Sequence, residues 1–208
     1  MSGNPVIAVA KDEAFCFIYE DNLKILKENG CDIVFFSPIH DKYIPKEAAA
    51  IYLPGGYPEN YLDELSSNKS MLDDIYRAFN EDTPIWAECG GFMYLHDKIY
   101  DIDNKPFNMV GALNGNCTYA GRLVRFGYID IEFPDGNTIK GHEFHYYDTE
   151  SNGDLATAIK PITGKNWKCM FYDPKVGRIL GFPHLYLPSC PQIVSMFVNA
   201  AAAYSERF

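Results

Sequence analysis

Several large protein classes are excluded by what this chain lacks. Cations are scarce: 18 Lys and Arg stand against 28 Asp and Glu in 208 residues, a formal charge of −10. Holding nucleic acid by its phosphates takes clustered Lys and Arg, so no nucleic-acid partner is expected. No apolar run reaches the roughly 18 residues needed to cross a bilayer, and no charged, then apolar, then small-residue leader opens the chain. The expectation is therefore no membrane partner and a cytoplasmic location. The six cysteines (Cys16, Cys31, Cys89, Cys117, Cys169, Cys190) are too few for a disulfide scaffold. They form no CxxC pair and no zinc-like spacing with histidine, so no metal is expected and the five other than Cys89 are read as packed, reduced thiols. A P-loop and a GxGxxG segment are both missing, so the chain carries no nucleotide site of its own. Repeats, low-complexity tracts and long linkers are missing too, and 1–208 reads as one domain.

What is present can bury a core, with 47% hydrophobic and 22% charged residues. Short apolar runs at Pro5–Ala10, Ile33–Phe36, Ile51–Leu53 and Ile85–Ala87 read as buried strands. Between them, Tyr19, Leu23 and Leu26 share a helical face that stops at Gly30, and two more helical stretches cover Tyr61–Leu65 and Met71–Phe79. Such alternation predicts a mostly parallel sheet covered on both faces, with ligands binding beyond the carboxyl ends of the strands. The second half changes to strand patterns: Arg122–Phe133, a Pro134-Asp135-Gly136 turn, Thr138–Gly141, Trp167–Tyr172 and Arg178–Phe182, closed by a helix over Gln192–Tyr204. The fold class is α/β, a three-layer sandwich with antiparallel additions in the C-terminal half.

Both Gly-Gly pairs fall just past strand ends. In Ala87-Glu88-Cys89-Gly90-Gly91 an apolar strand runs directly into a bulk-free turn and then a helix, the arrangement that holds a nucleophile on a strained backbone. Cys89 fits that role, and fits equally a buried thiol at an ordinary turn. Gly55-Gly56 either makes a tight turn or presents the Gly56 N–H beside that of Gly90 as an oxyanion hole. A thiolate needs a base. His184, beyond the apolar run Ile179–Phe182, is the candidate, the alternative being a hydrogen-bonded core histidine. His40 and His96, among charged neighbours, are expected at the surface. In Gly141-His142-Glu143-Phe144-His145, strand alternation puts His142 with Phe144 on one face and Glu143 with His145 on the other.

Taken in order, Ile7–Phe15, Phe35-Phe36-Ser37-Pro38, Leu53–Glu59, Ala87–Gly91 and Gly141–His145 resemble the glutamine amidotransferase domain of the cobyrinic acid a,c-diamide synthases. These form the cobalamin-pathway branch of the class I (triad-type), flavodoxin-like glutaminases, and the likeness runs almost end to end. It implies that Cys89 attacks the side-chain amide of glutamine, that His184 is the catalytic base, and that Gly56 and Gly90 hold the oxyanion. It also implies that ammonia goes to the a- and c-side-chain carboxylates of a corrin precursor. Those are activated with ATP and Mg²⁺ on an N-terminal synthetase domain that this chain lacks, so the chain is an excised domain or one subunit of a split enzyme. One departure is local: the place two residues after the base, often a carboxylate in this class, is Tyr186. Glu143 or Glu88 is then the orienting acid or a structural acceptor, or the site is a Cys–His dyad. His142 and His145 are further candidates to orient the base or contact substrate. The other readings are a relative serving a nickel-tetrapyrrole precursor and a non-catalytic interaction module; the GHEFH segment argues against a cell-wall lipid acceptor.

Overall fold

The structure, a computed structural model, describes residues 3–207. The elements run β1 (Val6–Ala10), α1 (Glu20–Glu28), β2 (Asp32–Phe36), β3 (Ala48–Leu53), α2 (Leu62–Ser67), α3 (Lys69–Asn80), β4 (Ile85–Glu88) and α4 (Gly90–Tyr94). The second half holds β5 (His96–Tyr100), β6 (Pro106–Asn108), β7 (Leu113–Tyr119), β8 (Arg125–Glu132), β9 (Thr138–His145), β10 (Tyr147–Thr149), β11 (Ala156–Ile159), β12 (Asn166–Cys169), β13 (Phe171–Asp173), β14 (Arg178–Gly181), β15 (His184–Leu185) and α5 (Pro191–Ser205).

The central sheet has the order β13-β14-β4-β3-β1-β2, parallel except for β13. Alternation along its strands builds the three layers. Ala8, Ala10, Ile51, Leu53, Ile85 and Ala87 point to the side covered by α2 and α3, where Leu62, Leu65, Met71 and Ile75 meet them. Ile7, Val9, Tyr52 and Trp86 point the other way, onto Leu23 and Leu26 of α1 and Ile193, Phe197 and Ala201 of α5. Trp86, fully buried, stacks on Tyr52 with centroids 4.5 Å apart and meets Phe197 edge-on at 5.9 Å. An aromatic buried this way contributes on the order of 2–3 kcal/mol from area alone.

The additions form two further sheets, β10-β7-β5-β6 and β12-β11-β8-β9-β15. Sequence periodicity left β5, β6, β7, β10 and β11 unread. They are short or half-exposed, so no clean period of two marks them. The run Trp167–Tyr172, expected as one strand, is two: Met170 takes φ 65° and breaks it into β12 and β13, which lie in different sheets. Thr138–Gly141 extends to His145, paired residue by residue with β8. After these excursions β14 returns beside β4 in parallel, Gly181 opposite Glu88. The chain therefore leaves both strands at the same carboxyl edge, one into Cys89 and the other toward His184.

Candidate active site

Cys89 has φ 44° and ψ −106°, a conformation that L-residues avoid. It is held by bonds on both sides: its N–H donates to Gly181 O at 2.9 Å, and its carbonyl accepts from Met93 N at 2.9 Å. The flanking glycines are bare for steric reasons. A Cβ on Gly91 would lie 2.1 Å from Leu53 O, and one on Gly90 would lie 2.7 Å from Pro58 Cδ and 3.1 Å from Gly56 N. The two glycine turns are thus packed against each other. Among the described residues, neither the Gly56 nor the Gly90 N–H donates to a protein acceptor. Both residues lie at a pocket of about 110 Å³ or directly beside it, and Phe17, Gly56, Tyr57, Cys89, His142, Phe144 and His184 line that pocket.

His184, 5% exposed, lines the same pocket as Cys89, close enough for the charges of the two side chains to act on each other. Its ring lies 4.5 Å from that of Phe17 and directly over Gly55, where a Cβ would come within 2.1 Å of His184 Cε1. Burial opposes a charged imidazole, but the Cys89 side chain and the Glu88 carboxylate outweigh it and raise His184 above its ordinary 6.5. His184 Nδ1 is 3.7 Å from Glu88 Oε2, too far for a hydrogen bond and close enough for charge to act. Glu88, 1% exposed, accepts from Leu185 N at 2.8 Å and Tyr52 OH at 3.0 Å. Its carboxylate therefore both faces the imidazole and anchors the strand that carries it.

Asn22 completes that anchorage from α1, a part the sequence did not mark. Its Nδ2 donates to Leu185 O at 2.7 Å and its Oδ1 accepts from Leu187 N at 2.9 Å. Tyr52 and Gly55 were missed as well. The Gly-Gly pair signalled a turn at Gly55 but not the ring above it, and nothing local distinguishes Asn22 or Tyr52 from ordinary helix and strand residues. Tyr186 points outward, its OH donating to Asp21 Oδ2 at 3.0 Å, so it supplies nothing to His184.

The alternation expected in β9 is present and divides its candidates. His142 pairs across the strands with His184 and lines the pocket, with Phe126 and Tyr128 around it at 6.1 and 5.5 Å. Glu143 and His145 face a separate cavity on the opposite side of β9, and neither makes a hydrogen bond or ion pair with His184. His40 is at the surface, 3.0 Å from Glu13. His96 is not: it is fully buried, with Nδ1 2.9 Å from Phe92 O and its ring 4.6 Å from Phe92. Its charged neighbours misled, because as the first residue of β5 it points inward while Asp97 points to solvent. Four of the remaining cysteines are buried as expected, Cys16 being exposed. Among the described residues no group of three or more His, Cys, Asp or Glu side chains could hold a metal ion, and no helix is long and apolar enough to cross a membrane.

Residues 6–181 match the CobB/CobQ-like glutamine amidotransferase domain. The chain is 35% identical to the cobyrinate a,c-diamide synthase of Caldanaerobacter subterraneus, over 97% of this chain and 46% of that protein. It is 42% identical to the enzyme of the same name from Dehalococcoides mccartyi (93% and 44% covered) and 34% identical to the hydrogenobyrinate a,c-diamide synthase of Pseudomonas aeruginosa (94% and 44%). The chain thus spans a little under half the length of these curated relatives. Among solved structures, a glutamine amidotransferase superposes with a TM-score of 0.63 at 17% identity, covering 94% of this chain and 98% of that one. Another glutamine amidotransferase, from Thermotoga maritima, superposes with a TM-score of 0.56 at 11% identity, covering 99% and 86%. At those identities the likeness speaks for the fold.

Proposed function

Because the chain belongs to the CobB/CobQ-like glutamine amidotransferase domain family, we propose that it hydrolyses glutamine to glutamate and ammonia for an amidation carried out elsewhere in the whole protein. The observation that carries this reading is the meeting of His184 and Cys89 in one pocket, with Cys89 on a strained strand-to-helix turn. His184 takes the thiol proton and Cys89 Sγ adds to the side-chain amide carbon. The negative oxygen that forms is held by the Gly56 and Gly90 N–H groups, which among the described residues have no protein acceptor to give up. The imidazolium then returns its proton to the leaving nitrogen, so ammonia departs and a glutamyl thioester remains. Water, deprotonated by His184, adds to the thioester carbon; glutamate leaves and the thiol recovers its proton. Glu88, from the position just before the nucleophile, is the acid that favours the imidazolium, in place of the carboxylate that Tyr186 does not provide.

The acceptor follows from the relatives' names: the a- and c-carboxylates of a cobyrinic or hydrogenobyrinic acid. We assign activation by ATP and Mg²⁺ to a synthetase domain in the part of the relatives' length that this chain does not span, and the location to the cytoplasm. Exposed aromatics at and beside the mouth of the pocket support a docking partner: Phe17 is 41%, Tyr57 50%, Phe126 61% and Tyr128 79% exposed. The test is glutamate release with and without the synthetase half. Cys89→Ala should abolish it with the fold retained, and wild-type release from that variant would refute the assignment.

A further inference from the structure

Behind the catalytic pocket, across β9, lies a second cavity of about 30 Å³ lined in part by Arg125, Glu143, His145, Trp167, Phe182 and Pro183. Glu143 is 2% exposed and His145 is 5% exposed. Among the described residues, Glu143 Oε2 and His145 Nε2 have no hydrogen-bond partner, and His145 Nε2 stands 4.0 Å from Glu143 Oε1. Orphaned buried polar atoms are costly, so their convergence on one cavity points to a guest.

The chemistry of the guest follows from the protons. His145 Nδ1 is 2.7 Å from Tyr147 O, and a carbonyl can only accept, so the ring proton sits on Nδ1 and Nε2 presents a lone pair. The ring cannot swing to satisfy it elsewhere, being stacked on Phe182 at 4.0 Å and 7°. Glu143, which burial raises to about 7, offers its carboxylate as a second acceptor once it is ionised. Arg125 lines the same cavity and its charge already acts on Glu143, which disfavours a cation. A volume of about 30 Å³ suits a single water-sized molecule.

We propose that this cavity is a binding site for one neutral molecule with at least two hydrogen-bond donors, water or ammonia, which bridges Glu143 and His145. The bridge braces β9 on the face opposite His142, whose cross-strand partner is His184. The site stands independently of the glutaminase reading; only ammonia as the guest rests on it.

The test uses this chain labelled with ¹⁵N. The two-bond ¹H–¹⁵N spectrum of His145 should show the Nδ1–H tautomer, with the Nε2 resonance at the position of an acceptor that is hydrogen-bonded. A crystal structure should show density for one molecule between the two side chains, lost in His145→Phe, which keeps the ring stack and removes the acceptor. Ammonium chloride titrated at alkaline pH should shift the Nε2 resonance saturably if ammonia is the guest. An unchanged, hydrogen-bonded resonance makes the guest water. An Nε2–H tautomer, or an Nε2 at the position of an unbonded lone pair, overturns the proposal. Labelling of Cys89 by an electrophilic glutamine analogue in the same sample separates the two readings, since failure there sinks the glutaminase reading alone.

Discussion

Replacing Gly55 by alanine tests whether His184 works as the base in the position described. The added Cβ would lie 2.1 Å from His184 Cε1 and 2.9 Å from Nδ1, whereas ordinary contact begins at about 3.4 Å, so about 1.3 Å must be found. The backbone at Gly55 is not in the left-handed region, so alanine brings no φ strain. The loop cannot retreat easily. Gly55 O accepts from Phe17 N at 3.0 Å, and Pro54 O accepts from Gly91 N at 3.0 Å on the other side. The imidazole is the part that yields, toward the pocket of about 110 Å³. A displacement of about 1 Å between reacting groups costs roughly 100-fold in rate, or about 3 kcal/mol of transition-state stabilisation. Gly55→Ala should therefore slow labelling of Cys89 by a glutamine-analogue electrophile about 100-fold. Glutamate release with the synthetase half present should fall as much, through kcat rather than KM. Circular dichroism and Tm monitor the fold. Wild-type labelling with an unchanged Tm would refute the reasoning, because it would mean that proton transfer tolerates the shift or that another group is the base.

Further outcomes follow from the same geometry. Cys89→Gly should be more stable than Cys89→Ala by about 1 kcal/mol in urea unfolding, since only glycine accepts φ 44° without strain; equal stabilities would remove the strain argument. Glu88→Gln keeps the shape but offers one acceptor oxygen where Leu185 N and Tyr52 OH now use two. We expect a loss of about 1–3 kcal/mol in stability and a 10- to 100-fold fall in kcat, less than the roughly 10⁴ known when a serine triad loses a directly bonded acid; an unchanged kcat would leave Glu88 a purely structural acceptor. Burial pushes Glu143 up to about 7 from 4.5. An acid raised in this way binds its proton more tightly folded than unfolded, so its contribution is present below pH 4.5 and is lost as pH rises through about 7. The gap is worth roughly 3 kcal/mol. Between about pH 5 and pH 8 the wild type should lose up to that amount more than Glu143→Gln, both sharing the slope of Glu59, which burial likewise raises to about 7; parallel pH profiles would show that Glu143 titrates normally.

The legible part of the site was the part made locally. Strand, small residues and helix around Cys89 are contiguous, so the elbow could be read from residues 85–95, and the period of two in 141–145 correctly sorted four side chains onto two faces. The layers were legible for the same reason, because β1, β3 and β4 are continuous apolar runs that only a doubly covered sheet can bury. His96 shows the limit of neighbourhood reasoning. Its flanking charges are real, but a strand turns each successive side chain over, and the core under Phe92 took the histidine.

The sequence alone therefore determined the α/β class, the strained turn at Cys89 and its likeness to a family of glutaminases, since each is written in residues a few positions apart. Tertiary structure alone decided which groups lie around that sulfur. His184 stands 95 positions away in sequence and arrives because β14 slots in beside β4. Asn22 and Tyr52 hold its strand and its acid from α1 and β3. The carboxylate facing the imidazole is not at the place after the histidine but is Glu88, buried just before Cys89. Long-range pairing of this kind depends on how sheet edges and side-chain rotamers close on one another in three dimensions, and no spacing along the chain encodes that.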